Sequence, residues 1–189
     1  YTYDQSITRY SISTNSAVTS WDDIYLEALP DVNLYIKTAE EQELPGYAGV
    51  GKILKAYIYS IAVDMYGEAP FTQGTQFTEN LSPEFDGGLA VYKGVFELID
   101  RGLEDLQVEG AAMPATTSDY FFAGDKAKWI RAAYSLKMKL LIQVKDLADA
   151  ELQQRVATEL PDILANQRYI ISSSDDWEFK LGTTNNPHN

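Results

Sequence analysis

The chain has 189 residues, 45% of them hydrophobic, and carries a formal net charge of −13 at pH 7. This length predicts one globular domain with a sizeable core. Cysteine is absent and the single histidine, His188, is the penultimate residue, which excludes disulfides, thiolate metal sites and histidine-dependent catalytic triads. The acidic charge disfavours nucleic acid and anionic membrane surfaces as partners, because both are negatively charged.

Five segments repeat apolar residues at the spacing of a helix face, and they predict helices near residues 20–41, 48–66, 89–107, 125–147 and 149–165. Residues 1–19 lack that spacing, and we expect an extended lead-in there. Pro30 is expected to kink or divide the first helix, and Pro161 to break the fifth helix late. The tail after residue 165 is compatible with a short strand around Ile170 and Trp177.

The second predicted helix is apolar on most sides, so other helices should surround it. It is shorter than a membrane span and three charged residues interrupt it, which argues against a transmembrane helix. One row expected to be buried is Ile53, Tyr57, Ile61 and Met65. In the fourth helix the expected buried row is Trp129, Ala133, Leu136, Leu140 and Val144. Six of the chain's 15 basic residues lie on that fourth helix, where we expect them to pair with acidic neighbours.

Two long connections separate these helices, at about residues 67–88 and 108–124. Long loops inside a compact domain are uncommon and are often functional. In the first loop, Phe71, Phe77 and Phe85 either contact a ligand or pin the loop onto the helices, and the sequence leaves both interpretations open. In the second loop, residues 120–122 form an apolar group of three aromatic residues, for which packing is favoured over a stacking platform.

The order of elements predicts an all-α fold of stacked antiparallel helical hairpins with long inserted loops, in a single domain over residues 1–189. Tetratricopeptide repeats follow the same logic of paired helices. Their period of about 34 residues is not kept here, because the loops interrupt it. Periodicity alone therefore predicts the fold class and no more.

Three runs, in order along the chain, match the pattern of a known family. The first helix contains WDDIYLEALPDVNLYI, with Trp21, Tyr25 and Asn33 as its matching residues. The central helix contains ILKAYIYSIAVDMYGEAPF, a Tyr-rich helix that ends in a Tyr-Gly-acid-x-Pro turn. The fourth helix lies in YFFAGDKAKWIRAAYSLKMKLLIQV, where Ala133 and Tyr134 stand in place of the usual Ala-Asn. Together these runs resemble the SusD/RagB family over most of residues 20–145.

The resemblance implies a surface-exposed lipoprotein of the outer membrane in Bacteroidetes-type bacteria, built from helix pairs of tetratricopeptide type. Such proteins bind glycans or other nutrients without catalysis, and sit as a lid on a TonB-dependent (SusC-like) transporter barrel. Family members are usually more than twice as long as this chain. We therefore expect the chain to be the N-terminal part of a longer protein whose lipid anchor lies outside this sequence.

The residues that contact a ligand vary within the family, so their positions here are predicted from the loop and not from the motifs. We expect Phe71 and Phe77 to stack on sugar rings, and Gln73, Gln76 and Asn80 to hydrogen-bond to sugar hydroxyls. Amides suit this task because each offers both donors and an acceptor. No cofactor and no metal are expected.

Two other classes of function stay open from the sequence. A glycoside hydrolase needs a pair of carboxylates across a cleft. Glu68, Glu79, Glu84 and Asp86 lie in or near the first loop, but no motif fixes two of them as a pair. A helical-repeat scaffold that binds only protein would require nothing beyond the helices.

The fifth helix raises one further expectation if the chain is part of a longer protein. Its apolar stripe would then lack the partners that it evolved with, and such patches rarely stay exposed on a monomer. We expect either self-association through residues 149–165 or a tail, residues 169–181, that folds back as a cap. The stripe consists of Leu152, Val156, Leu160 and Ile163.

Overall fold

The computed structural model describes residues 18–75, 80 and 82–179, with only the backbone of residue 19. The described helices are α1 (Val18–Asp22), α2 (Leu29–Glu41), α3 (Pro45–Tyr66), α4 (Gly88–Gln107), α5 (Lys126–Val144) and α6 (Ala150–Ala165). A π-helical turn, Asp23–Ala28, joins α1 to α2. Most of the predicted lead-in lies outside the described residues.

The all-α prediction is confirmed, since the described ranges contain helices and no strand. Short connections at residues 42–44 and 145–149 reverse the chain, so that α2 and α3, and then α5 and α6, form hairpins. Helix α3 packs most extensively against α4 and α2, and α5 packs between α4 and α6. The expected strand in the tail is wrong, because its described part forms a short 3₁₀ turn at Ser173–Asp175 and is otherwise irregular.

Pro30 neither ends nor divides the first predicted helix. It lies in the first turn of α2, directly after the π-helical turn. A proline has no N–H to donate, and its ring collides with the carbonyl four residues earlier in a regular helix. The wider turn before Pro30 accommodates both effects, so helical backbone continues from Val18 to Glu41. Pro161 likewise lies inside α6, which continues to Ala165.

Helix α3 is central to the packing, but one side of it is open. Ile53, Ala56 and Tyr59 are fully buried. Tyr57 and Met65, in contrast, are 41% and 52% exposed, which corrects the prediction that they are buried. The reason is the number of neighbours: α2 and α4 cover two sides of α3, while α5 touches it only over a short length.

Close approach of α3 and α4 depends on two glycines. A methyl group added to Gly49 would lie 2.8 Å from the carbonyl oxygen of Gly102, and one added to Gly102 would lie 3.1 Å from the carbonyl oxygen of Gly49. Both distances are shorter than ordinary van der Waals contact, so the two backbones meet where neither residue has a side chain.

The predicted buried row of α5 is confirmed, because all five of its residues are at most 5% exposed. The stripe on α6 is covered as well. Leu152 and Ile163 are buried, and Val156 and Leu160 are half-buried against the core. Helix α5 supplies this cover, so the stripe needs no second copy of the chain.

The tail folds back onto α5 and not over the stripe on α6, so the prediction that the tail caps that stripe is wrong: α5 already covers it. The Ile170 N–H donates to Ser135 Oγ at 2.8 Å, and Arg131 Nε lies 2.9 Å from the Asp175 carboxylate. Trp177 packs against the edge of the core.

The basic residues of α5 pair with acidic neighbours, as predicted. Lys137 is buried, and its ammonium contacts Asp100 of α4 at 2.6 Å and also Glu159 of α6. Arg155 contacts the same two carboxylates, each at 2.9 Å. Burial would lower the pKa of Lys137, but hydrogen bonds to Asp100 and Glu159 outweigh it and raise that pKa. The network ties three helices together.

The carboxylate of Asp119 organises the loop before α5. Its Oδ1 accepts hydrogen bonds from the Phe121 and Phe122 N–H groups at 3.0 and 3.1 Å. Its Oδ2 accepts from Gly124 N at 2.8 Å and from the indole Nε1 of Trp129 at 2.7 Å. Burial would raise the pKa of Asp119, but these four donors favour the charged form and hold the pKa below its ordinary value.

We predict that Leu140→Ala lowers the free energy of unfolding by about 2–5 kcal/mol, because it leaves a cavity at a fully buried position. Ile142→Ala, two residues along the same helix at a side chain that is 49% exposed, is the matched control and should change it little. Urea denaturation of the two variants measures this, and equal effects would show that the buried row is misplaced.

We predict that Asp119→Asn destabilises the protein by about 2–5 kcal/mol at pH 7, because in either orientation the amide NH₂ faces two N–H donors that are then unpaired. The folded-state pKa is lowered, so the stabilisation is complete above the unfolded pKa of about 3.9 and is lost as the pH falls through the folded pKa. The difference between the wild type and Asp119→Asn in thermal melts should therefore shrink below about pH 4. Asp146→Asn, at a carboxylate that is 86% exposed, is the control. A pH-independent difference would contradict this account.

Candidate functional site

The loop between α3 and α4 is closed at its base by a pair of backbone hydrogen bonds. Ala69 N donates to Asp86 O at 3.1 Å, and Asp86 N donates to Ala69 O at 3.0 Å, which forms an isolated antiparallel bridge. The two ends of the loop are thereby held together where α3 ends and α4 begins.

The side chain of Asp86 reinforces this closure. Its carboxylate accepts from Phe71 N at 2.9 Å, from Thr72 N at 2.8 Å and from the Thr72 hydroxyl. Burial would raise the pKa of Asp86, but the hydrogen bonds from Thr72 and Phe71 outweigh it and lower that pKa. Asp86 is thus an ionised acceptor that fixes the first residues of the loop.

The first helical segment holds the loop from the other side. The Tyr25 hydroxyl donates to the Pro70 carbonyl at 3.2 Å, and Asn33 Nδ2 donates to the Thr75 hydroxyl. Thr75 has a φ of 65°, a left-handed conformation that is uncommon for a β-branched residue. Such a conformation persists only where the surroundings enforce it, and the Asn33 contact is part of that enforcement.

Aromatic stacking makes the third contact between the helix and the loop. The Trp21 ring stacks on Tyr25 at 4.4 Å and on Phe85 at 5.7 Å, with interplanar angles of 29° and 19°. Tyr66 meets the Trp21 ring edge-on at 5.0 Å. Phe85 is 57% exposed, so one aromatic surface of this stack is open to solvent.

Phe71, which sequence reasoning placed at the site, is half-buried. Its ring meets that of Tyr59 at 4.7 Å and lies directly over Gly94, where an added methyl group would come within 2.2 Å of it. The side chain therefore pins the loop onto α3 and α4, while its remaining surface lines a small pocket with Thr72 and residues of both helices.

The predicted amides Gln73 and Asn80 lie together. Asn80 Nδ2 donates to Gln73 Oε1 at 2.8 Å, and Glu84 N donates to the same oxygen at 3.2 Å. Gln73 Nε2 makes no hydrogen bond with the part of the chain that the structure describes. The other two predicted residues, Gln76 and Phe77, lie outside the described residues.

A second aromatic surface lies beside the loop of residues 108–125. A pocket of about 290 Å³ is formed there by α2, α3 and this loop, and Tyr35, Tyr120, Phe121 and Trp129 line it. Phe122 is buried, as packing requires, whereas Tyr120 is 71% exposed. Trp177 from the tail extends the surface with ring contacts to Phe121, Trp129 and Tyr57.

Metal chemistry finds no support in the described ranges, which contain no group of three His, Cys, Asp or Glu side chains placed to hold an ion. Across the same residues, none of the helices combines the length and the apolar character needed to cross a bilayer.

Sequence reasoning missed the role of Trp21, Tyr25 and Asn33. The sequence identifies them only as motif residues. The structure shows that all three contact the loop, at partners 42 to 64 positions away in the chain, as for Asn33 with Thr75 and Trp21 with Phe85. Periodicity gives no signal for such contacts. The only sequence signal for them is their place in the run that resembles the SusD/RagB family.

Comparison with solved structures places this fold among SusD homologues. A homologue from Bacteroides uniformis is 22% identical, with a TM-score of 0.69 over 87% of this chain and 32% of that one. A SusD/RagB family protein from Bacteroides thetaiotaomicron is 21% identical, with a TM-score of 0.73 over 92% and 35%. A chitin-binding SusD homologue from Flavobacterium johnsoniae is 18% identical, with a TM-score of 0.72 over 87% and 34%.

The chain spans about a third of the length of these structures. At such identities the likeness shows a shared fold. A search of curated proteins found no match. A family model described as "Starch-binding associating with outer membrane" matches residues 1–189. The match covers the whole sequence, and the chain belongs to this SusD-like family.

Proposed function

We propose that the chain is the N-terminal helical part of a non-catalytic glycan-binding protein. It acts at the surface of the outer membrane, and passes its ligand to a TonB-dependent, SusC-like transporter. The family description and the chitin-binding relative support the ligand class and the location. The transporter and a lipid anchor are proposed from the resemblance to the SusD/RagB family.

The observation that carries the proposal is the exposed Phe85 ring, which stacks on Trp21 and directly follows Glu84, whose N–H donates to the Gln73 amide. A sugar ring has a flat apolar face that packs on such an aromatic surface, and its hydroxyls require donors and acceptors nearby. Gln73 and Asn80 are proposed to provide them, and within the described residues the Gln73 Nε2 group makes no hydrogen bond. Gln76 and Phe77 belong to the same loop and are proposed to contribute in the same way.

The hydrogen bonds that hold the first part of the loop favour this function over a protein-only scaffold. Tyr25, Asn33 and Asp86 hold residues 70–75 in place before any ligand arrives, so these residues lose little conformational entropy on binding. A scaffold that binds protein along its helices would not need these contacts to the loop. Such a scaffold would instead be expected to have a smooth concave helical surface.

The lowered pKa of Asp86 argues against this carboxyl as the general acid of a hydrolase. A general acid in glycoside hydrolysis needs a raised pKa, so that it carries a proton at neutral pH. The pKa of Asp86 is lowered instead, because its carboxylate is occupied by Thr72 and Phe71. This group is a structural acceptor and is unsuited to donating a proton to a leaving group.

We predict that Phe85→Ala weakens retention of the protein on native gels that contain soluble starch or glycol chitin, with little change in melting temperature. The ring is more than half exposed, so its loss removes stacking and hardly affects the core. Wild-type affinity should be weak, with a Kd of roughly millimolar to micromolar.

Phe179→Ala is the matched control, since Phe179 is 53% exposed on the second aromatic surface. Phe71→Ala should behave differently from both and lower the melting temperature, because that ring packs on Tyr59 and Gly94. If retention is lost with Phe179→Ala and kept with Phe85→Ala, the glycan binds at the second aromatic surface and not beside Phe85.

A further inference from the structure

A small pocket lies between α3 and α4, under the start of the loop. It has a volume of about 220 Å³, and Lys55, Phe71, Gly94, Glu97 and Arg101 are among the residues that line it. The volume is below the range of about 300–1,000 Å³ that is typical for drug-sized ligands. The pocket therefore suits a single small ring or one substituent of a larger ligand.

Lys55 is unusual among the cations of the protein. Every other lysine and arginine in the described ranges makes an ion pair or a hydrogen bond to an oxygen. The Lys55 ammonium makes neither within those ranges, and its described neighbour is the Tyr59 ring, 6.0 Å away at the centroid. In a chain of net charge −13, a half-buried cation without a carboxylate partner is unexpected.

Burial also acts on this group. It lowers the pKa of Lys55, and the attraction of Glu40 only partly opposes that effect. A desolvated ammonium gains more from an added carboxylate than a hydrated one, because water no longer screens the pair.

Arg101 supplies a second cation at the rim of the pocket. Its contact with Glu97 is long, at 4.0 Å, and both side chains are more than 60% exposed, at 68% and 62%. Pairs of this kind contribute little, about 0–1 kcal/mol. The guanidinium can therefore turn from Glu97 to a ligand carboxylate, which its planar fork binds through two parallel hydrogen bonds.

Phe71 gives the pocket its apolar wall. Since Gly94 has no side chain, the Phe71 ring approaches the backbone of α4 there, and it lines the pocket together with Lys55 and Arg101. An aromatic wall with two cations next to it is complementary to a sugar ring that carries a carboxylate.

We propose that this pocket binds the carboxylate of a uronic acid residue, so that the ligand is an acidic glycan. Lys55 pairs with the carboxylate, Arg101 closes over it, and Phe71 packs on the sugar ring. This inference rests on the proposed glycan-binding function, and it names the class of glycan.

Oligogalacturonate and its methyl ester form the test pair, because they share the same rings and hydroxyls and differ in the charge. Calorimetric titration at pH 7 should show the acid form binding at least about fivefold more tightly than the ester, which is the gain expected from one partly screened ion pair. Lys55→Met should reduce this preference to the part that Arg101 contributes. Lys37→Met, at a lysine that is 74% exposed and outside the pocket, should retain it.

Arg101→Gln provides a second variant in case Lys55→Met does not fold, and it should reduce the same preference. Equal affinity for the acid and the ester, or no binding of either, would overturn the inference, while retention on starch or chitin gels would leave the proposed function standing. If the wild-type protein is not retained on starch or chitin gels and binds neither oligogalacturonate nor its ester, both the inference and the proposed function are overturned. Acetate that competes with oligogalacturonate at equal concentration would show a site for free anions and would also overturn the glycan assignment.

Discussion

The contact between Gly49 and Gly102 sets the distance between α3 and α4, and the candidate site is built on these two helices. The loop leaves the end of α3 and returns at the start of α4, so the spacing of the helices fixes the separation of its ends. The bridge between Ala69 and Asp86 can form only if those ends meet. A side chain at either glycine would separate the backbones and disturb the base of the loop, although both residues lie far from its tip.

The residues that carry the family resemblance have physical roles in this structure. Tyr25 and Asn33 hydrogen-bond to the loop, and Trp21 stacks against it. In the third run, Trp129 donates to Asp119 and Lys137 joins α4, α5 and α6 through buried ion pairs. The residues of the resembling runs thus hold the helices together and contact the described part of the loop.

Helix positions were largely predictable because each helix buries one side, and an apolar row such as the one through Leu140 records that burial directly. The exposure of Tyr57 and Met65 was not predictable, since it depends on how many neighbours cover α3. The π-helical turn before Pro30 was not predicted. It accommodates the proline locally, and the apolar spacing of the helix on either side gives no sign of it. The amides Gln73 and Asn80 were chosen from their residue types; the structure places them together, and their contact with a ligand stays a prediction. The contacts of Trp21 and Asn33 with the loop join residues distant in the chain, which one sequence does not record. The same holds for the surroundings of Lys55, which makes no ion pair within the described residues.

The location of the glycan on the Trp21–Phe85 surface can be tested by following three indole N–H signals. Trp21 lies at the loop, Trp129 is buried with its Nε1 bound to Asp119, and Trp177 lies on the second aromatic surface. The protein labelled with ¹⁵N is titrated with the soluble oligosaccharide of whichever glycan retains it on native gels, and the signals are assigned with Trp→Phe variants. The account predicts that the Trp21 signal shifts with saturation while those of Trp129 and Trp177 stay in place. A saturable shift of Trp177 with Trp21 unmoved would contradict it.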